Sequence, residues 1–390
     1  MRIDLETLGL EEGGDLLVKR ALRRLGEGER LSVAGSHPEL ALHLRSWART
    51  MGHECRHASD AVAKLVPAPW FNRLPADRTG AAGLGGVVEH PSPAWGLAGR
   101  SATVERGTPS FDFALIDKAE LWSDDAARLY ARAAAAQWDP NEAIDWSAPV
   151  DHDDEIEEAV VQVMTYLIEN ETAALVVPAR FVSRIHPHFR EVMQLLAIQT
   201  ADEARHIEVF TRRALLKRES LGLSTSGGQA SLKTLVDEPD FALASFLLSV
   251  MGEGSFLVLL DFLMRLGPDP ITRAVCRLAA QDEARHVAFG LSHLRRHAQE
   301  DPALLHKLAL AMERRHAELA ATAGLNERVF EALTVIGAGG FAPAEVARGH
   351  ALVMQLQSDM DTARRASLAK LGFEPEQAAA LSGLHTRNFM

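Results

Sequence analysis

The chain has 390 residues, 47% apolar and 24% charged, enough to bury a sizeable core and to form more than one domain. With 41 Lys+Arg against 53 Asp+Glu its net charge is −12, which works against a nucleic-acid or anionic-membrane partner, since both need a basic surface. Only Cys55 and Cys276 are present, too few for a disulfide framework or a thiolate metal site. The first residues, MRIDLETLGLEEGGD, lack the basic and apolar regions of a secretion signal, so a reducing cytoplasm is the expected location.

In chain order, a short strand over 1–5 precedes an amphipathic helix over 15–24, with Leu16, Leu17, Ala21 and Leu22 on one face. Residues 30–34 (RLSVA) have strand character, and a second helix over 38–51 stops at Gly52. This order implies a small α/β domain over 1–65. Residues 66–115 open with a stretch dense in Pro and Gly (PAPW, GLGG, HPSPAWG) and read as an irregular linker or cover segment. From 116 to 390 the chain reads as helical, with helices over 117–137, 152–185, 188–217, 240–265, 269–298, 302–322 and 342–370, and a longer loop over 219–238. Pro178 is expected to bend or end the second of these. Residues 241–260 are apolar enough to span a membrane, but three Ser, two Gly and the mid-segment Glu253 argue against it.

The helical region contains an internal duplication. ADEARH (Ala201–His206) returns as QDEARH (Gln281–His286), and each copy follows an apolar helix carrying a glutamate: NETAAL around Glu171 and GEGSFL around Glu253. Glu171 precedes Glu203 by 32 residues and Glu253 precedes Glu283 by 30, spacings that let a helix turn and return antiparallel to the same depth. Two Glu-x-x-His motifs and two further glutamates compose a dimetal-carboxylate site in a four-helix bundle. Residues three apart share a helix face, so Glu203 with His206, and Glu283 with His286, can bind one metal region. Four carboxylates neutralise two divalent ions, and mixed O/N ligation suits iron or manganese better than zinc. One DEARH alone is ordinary surface helix; two matched copies are not. Glu253, inside FLLSVMGEGSFLVLL, needs a neutralising partner because an unpaired buried carboxylate costs several kcal/mol. Alignment of the halves favours Glu171 over Glu169 as the first ligand. Asp202 and Asp282 could accept the distal N–H of the histidines, with Arg205 and Arg285 beside them. Trp122, Trp138 and Trp146 flank the bundle as core aromatics or as a wall of a substrate pocket.

Over about 150–300 the sequence resembles the ferritin-like dimetal-carboxylate oxidases and oxygenases, including the bacterial multicomponent monooxygenase hydroxylases and ribonucleotide-reductase small subunits. The resemblance implies a mainly α fold, a ferritin-like four-helix bundle with additional helices, in which Glu171, Glu203, His206, Glu253, Glu283 and His286 hold two irons that activate dioxygen. Departures are specific. Phe210 stands where the reductase small subunit has its radical tyrosine, Leu257 where the hydroxylases have a threonine, and Ala279 where the arylamine N-oxygenases have an added histidine. The segment ERLSVAGSHPELALHLRSWARTMGHEC is similar to TusA-type sulfur-carrier domains, but the Cys-Pro nucleophile of that family is replaced by Leu10-Glu11-Glu12, so docking or covering a substrate is the expected role.

The implied function is a non-haem diiron oxygenase acting with O2 on a small organic substrate by hydroxylation, N-oxygenation or a related oxidation. An apolar lining from Phe246, Leu257 and Phe210 is expected to shield the oxidant. The alternatives are a ferroxidase or iron-handling ferritin relative, or a manganese-containing oxidase. No flavin, ferredoxin or nicotinamide signature is present, so electrons are expected from a separate donor protein or from the substrate. A homodimer is expected, with no nucleic-acid or membrane partner.

Overall fold

A computed structural model describes residues 1–26, 28–59, 62–68, 76–81, 83–319 and 327–385. The chain packs as two units, Met1–Thr79 with Ser101–Pro109, and Gly80–Arg100 with Ser110–Met390.

The first unit contains β1 (Arg2–Asp4), α1 (Asp15–Leu22), β2 (Leu31–Ala34), α2 (Leu40–Thr50), β3 (Glu54–Ser59) and β4 (Val62–Val66). The strands form one sheet in the order β1-β2-β4-β3, with β1 and β2 parallel and the other pairs antiparallel. A parallel pair needs a crossover, and α1 supplies it. Leu31 and Val33, alternating with Ser32, face inward against Val18, Leu22 and Leu44. Within the Pro/Gly-rich stretch, β5 (Ala76–Arg78) pairs antiparallel with β6 (Thr103–Glu105), a two-stranded ribbon where the sequence suggested only irregular chain. Cys55, on β3, is half-buried, and that burial pushes its thiol pKa up, the opposite of what a nucleophile requires.

The second unit is almost wholly helical. It begins with α3 (Lys118–Leu121) and α4 (Ala126–Ala135), two short helices where one over 117–137 was predicted, followed by α5 (Pro140–Ala143). The break falls at Trp122–Asp125, where the Ser123 side chain accepts the Asp125 N–H and bonds Ser292 instead of continuing the helix. Next come α6 (Asp154–Val182), α7 (Arg190–Ala214), α8 (Ser226–Val236) and α9 (Phe241–Ser245). Pro178 does not interrupt α6, which continues to Val182; so near its end the helix forgoes a single hydrogen bond, from Pro178 to Ala174. The predicted 219–238 loop contains α8, capped by the Thr225 hydroxyl accepting the Gly228 N–H. A π-helical segment, Phe246–Gly252, separates α9 from α10 (Glu253–Leu266), where one continuous α-helix was expected. The chain closes with α11 (Pro270–Glu300), α12 (Ala303–Leu319), α13 (Glu327–Ala338), α14 (Pro343–Leu371) and α15 (Pro375–His385).

Helices α6, α7, α10 and α11 form a four-helix bundle, to which the others are added. Two helical stretches, Asp154–Val182 and Phe241–Leu266, are long and apolar enough to cross a membrane by length and composition; 67% and 78% of their most apolar windows are buried within the chain. Each fully buried Leu or Phe there contributes about 1.5–3 kcal/mol.

The π segment lies tight against α11. A Cβ added at Gly290 would stand 2.5 Å from Ser249 Cβ, so glycine permits the approach that brings Glu253 beside Glu283. Alanine normally stabilises a helix interior by about 1 kcal/mol relative to glycine. Here the sign should reverse, with Gly290→Ala losing about 1–3 kcal/mol by overpacking. Urea denaturation decides it, and a stabilised variant would contradict the close approach.

Candidate dimetal site

The bundle interior collects the carboxylates and imidazoles that the duplication pointed to. Glu171 on α6, Glu203 and His206 on α7, Glu253 at the start of α10, and Glu283 and His286 on α11 are all at most 4% exposed. They fall into two sets whose ligand atoms lie within 4.8 Å of one another: Glu171, Glu203, His206 and Glu283; and Glu203, Glu253, Glu283 and His286. Glu203 and Glu283 belong to both sets, so each has one carboxylate positioned between two ion positions. One glutamate from each of two helices and a Glu-x-x-His motif from each of the other two, all projecting inward, define the ferritin-like dimetal-carboxylate arrangement. Glu169 is half-buried on the outer side of α6 and belongs to neither set.

The donor set fits two metal ions. Glu171 Oε1, Glu203 Oε1, Glu253 Oε2, both Glu283 oxygens and His286 Nδ1 are buried and make no well-aligned hydrogen bond among the described residues. Orphaned buried polar atoms at this density are too costly to persist in a packed core without a ligand. The histidines show which nitrogen is available. His206 Nδ1 faces Glu203 Oε2 at 3.2 Å and Glu283 Oε1 at 3.2 Å, and His286 Nδ1 faces Glu203 Oε1 at 3.0 Å. The opposite ring atoms point outward to aspartates: His206 Nε2 lies 3.1 Å from Asp282 and His286 Nε2 3.3 Å from Asp202. An Nε2–H donated to aspartate leaves the Nδ1 lone pair directed inward.

These outer contacts are crossed, each half's histidine being held by the other half's aspartate. Arg205 bridges Asp202 (2.6 Å) and Asp282 (2.9 Å). Arg285 also reaches both aspartates, which are themselves no more than 1% exposed. Two further donors complete this shell. Gln137 Nε2 donates to Asp202 at 2.8 Å, and Trp138 Nε1 donates to Asp282 at 2.9 Å. The Arg205 guanidinium stacks over the Trp138 ring at 4.6 Å. Trp138 is thus neither plain core nor pocket wall. Trp122 Nε1 bonds Asp124, and Trp146 Nε1 bonds the Pro140 carbonyl, both away from the carboxylates. Gln199, one turn before Glu203, donates to Glu253 Oε1 at 3.1 Å and so leaves Oε2 as that residue's unused oxygen.

The electrostatics follow from this crowding. Burial, then repulsion from Glu203 and Glu283, raises the Glu171 pKa well above the carboxylate range; burial and Glu283 do the same to Glu253. Burial also acts to raise Glu203, but His286 and His206 hold it well below the usual range. Both histidines are raised well above theirs: burial opposes their charge, and the surrounding carboxylates outweigh it. Asp202 and Asp282 are held low by their histidine and other donors despite burial.

A small cavity of about 20 Å3, room for about one water molecule, abuts the site. Glu171, Glu253 and Glu283, with Asn170 and Arg315, form its polar wall, and Leu247, Leu248 and Phe256 much of its apolar wall. This corrects the expected lining: Phe246 and Leu257 are not part of it. Phe210 is fully buried, its ring 6.4 Å from that of His206, and it too lies outside the cavity.

No family model matches the sequence, and no curated protein does. Among solved structures, the chain is similar to an R2-like ligand-binding oxidase (a point mutant with aerobically reconstituted Mn/Fe cofactor) at 17% identity and TM-score 0.49, covering 64% of this chain and 94% of that one. An R2-like ligand-binding oxidase from Sulfolobus acidocaldarius matches at 18% identity and TM-score 0.43, covering 65% and 93%. A protein from Synechococcus with aldehyde deformylating oxidase activity matches at 16% and 0.44, covering 61% and 98%.

The crossed shell can be tested apart from the ligands. Trp138→Phe keeps the ring and removes one donor to Asp282, so metal affinity should fall about 10–100-fold, as for other outer-shell losses. Calorimetric titration of metal-free protein with Mn2+ measures it; unchanged affinity would show that Trp138 does not orient the His206–Asp282 pair.

Proposed function

We propose that this protein is a dimetal-carboxylate oxidoreductase that uses dioxygen to oxidise a small organic molecule. The observation that carries the reading is the pair of buried donor sets sharing Glu203 and Glu283. In it, Glu171 and His206 complete one metal position and Glu253 and His286 the other. Four carboxylate and two imidazole donors favour iron or manganese, and four negative charges balance two divalent ions. Such ions, when bound, supply the redox chemistry with dioxygen.

The chain's own residues do the rest. His206 and His286 are fixed in one ring orientation by Asp282 and Asp202, which keeps Nδ1 directed inward. Glu253 can change its binding mode, since it follows the π segment and only its Oε1 is held, by Gln199. Leu247, Leu248 and Phe256 exclude bulk water, and the cavity they bound is of a size for a diatomic molecule or a water. A larger substrate must displace the leucines of the π segment to approach the carboxylates. Hydroxylation, N-oxygenation or a related oxidation are the reactions this arrangement suits.

Anaerobic protein loaded with iron(II) should consume dioxygen within seconds of mixing, and Glu203→Ala treated identically should not. Equal consumption by wild type and variant would overturn the reading.

A further inference from the structure

Among the described residues, one group outside the bundle also brings its ligand atoms within 4.8 Å of one another: Glu11, Glu39 and His43, all in the α/β unit. Glu11 stands in the single turn Leu10–Gly14 that leads into α1. Glu39 is the N-cap of α2, and His43 follows it by one turn.

A Glu39–His43 pair four residues apart is by itself ordinary surface helix. Glu11 changes that, because it arrives from 32 residues away with Oε2 only 2.7 Å from His43 Nδ1. Glu39 Oε2 lies 3.7 Å from the other ring nitrogen, Nε2, so two carboxylates face one imidazole. A neutral imidazole has a single N–H and can satisfy only one of them. Among the described residues neither glutamate pairs with a lysine or arginine, and the Glu39 carboxylate caps no helix N–H.

The turn that presents Glu11 is shaped around it. The Gly9 N–H donates to Glu12 Oε2 at 2.9 Å, and Gly13 takes a φ of +102° that few other residues adopt. A Cβ added at Gly9 would stand 3.0 Å from Glu11 Oε1 and 3.1 Å from His37 Nε2, so glycine leaves room for both side chains. His37 Nδ1 accepts the Glu39 N–H at 3.3 Å, which makes Nε2 the N–H side of that ring. This side faces Glu11 Oε1 at 3.9 Å, the oxygen that His43 does not take. His37 is thus a positioning residue for Glu11 and not itself a ligand.

We propose that Glu11, Glu39 and His43 form a divalent transition-metal site on the α/β unit, taking Zn2+ or an ion of similar preference. One imidazole and two carboxylates are donors such an ion accepts, and the two negative charges offset its own. Three protein donors at an exposed position leave water on the remaining coordination positions, so the ion exchanges readily with solvent. The site rests on no part of the function proposed above.

Equilibrium dialysis of metal-free full-length protein against micromolar Zn2+, followed by metal analysis, tests it. Wild type should hold one ion per chain more than His43→Gln, and one more than Glu11→Gln. Any Zn2+ taken by the dimetal centre is common to all three proteins and cancels in the difference. A failed dimetal centre therefore lowers every total equally and leaves the difference at one. Gly9→Ala, whose backbone φ of −72° suits alanine, should keep its melting temperature and bind the extra ion several-fold more weakly by calorimetry. Equal zinc contents in wild type and both ligand variants would overturn the site. So would an extra ion that appears only at millimolar Zn2+, or wild-type affinity in Gly9→Ala. Thermal unfolding without metal shows that each variant is folded.

Discussion

Glu203→Ala should abolish the binding of both ions of the dimetal centre, while Glu171→Ala should abolish only one. The asymmetry follows from geometry: Glu203 and Glu283 belong to both donor sets, and Glu171 and Glu253 to one each. Loss of a shared carboxylate also leaves three glutamates, a charge of −3, where two divalent ions are balanced by four. Affinity should fall by more than the roughly 10–100-fold typical of outer-shell changes. Metal analysis after equilibrium dialysis with Fe2+ or Mn2+ under anaerobic conditions reads the stoichiometry directly. The expected values for the dimetal centre are two ions per chain in wild type, none in Glu203→Ala or Glu283→Ala, and one in Glu171→Ala. Equal losses in all the variants would mean that the two sets do not share ligands.

The largest effect on stability should come from Arg213→Met. This arginine is fully buried and donates to both Glu157 oxygens at 2.8 and 2.9 Å and to Asp269 at 2.8 Å, with Thr272 accepting from its Nε. Its removal takes the arginine from two carboxylates that are each 1% exposed, leaving Glu157 with His152 and Asp269 with Thr272, and loss of the buried counter-charge costs about 3–5 kcal/mol. The same network sets an acid limit. Burial acts to raise Glu157 and Asp269, but Arg213 holds both below the usual carboxylate range. A folded-state pKa depressed below the unfolded one gives stability that is fully present above the unfolded value, near 4, and lost as pH falls through the folded value. Wild type should therefore lose stability below about pH 4 more steeply than Arg213→Met, which no longer has the paired carboxylates to lose. Urea denaturation at pH 7 and pH 3.5 measures both effects, and a variant within 1 kcal/mol of wild type at pH 7 would contradict the network.

How much of this could be read from sequence differs by residue. The paired Glu-x-x-His motifs and Glu253 were legible because residues three apart on a helix share a face whatever surrounds them, and because a lone carboxylate in an apolar run has few explanations. Which aspartate holds which histidine was not, since within-half and cross-half pairing look alike until the helices are docked. Gln199 gave no signal, and Trp138 was read as core or pocket wall, because the role of each comes from a partner distant in sequence, 54 residues away in one case and 144 in the other. The cavity lining was misjudged for a local reason. Counting back seven residues from Glu253 along a regular helix reaches Phe246, but the π segment shifts the phase, and Leu247 and Leu248 face the carboxylates instead. Helix α8 was missed because Ser226-Gly227-Gly228 reads as loop, although Thr225 is a good cap.

The π segment has a consequence for heredity. A π turn is an α-helix carrying a residue in excess. Loss of one codon between Phe246 and Gly252 would restore regular winding and rotate the preceding stretch by about 100° relative to Glu253. Leu247 and Leu248 would leave the cavity wall while all six metal-facing side chains stayed encoded. A single in-frame deletion, or its reverse, would thus reshape the cavity with no change at the six buried carboxylate and imidazole donors.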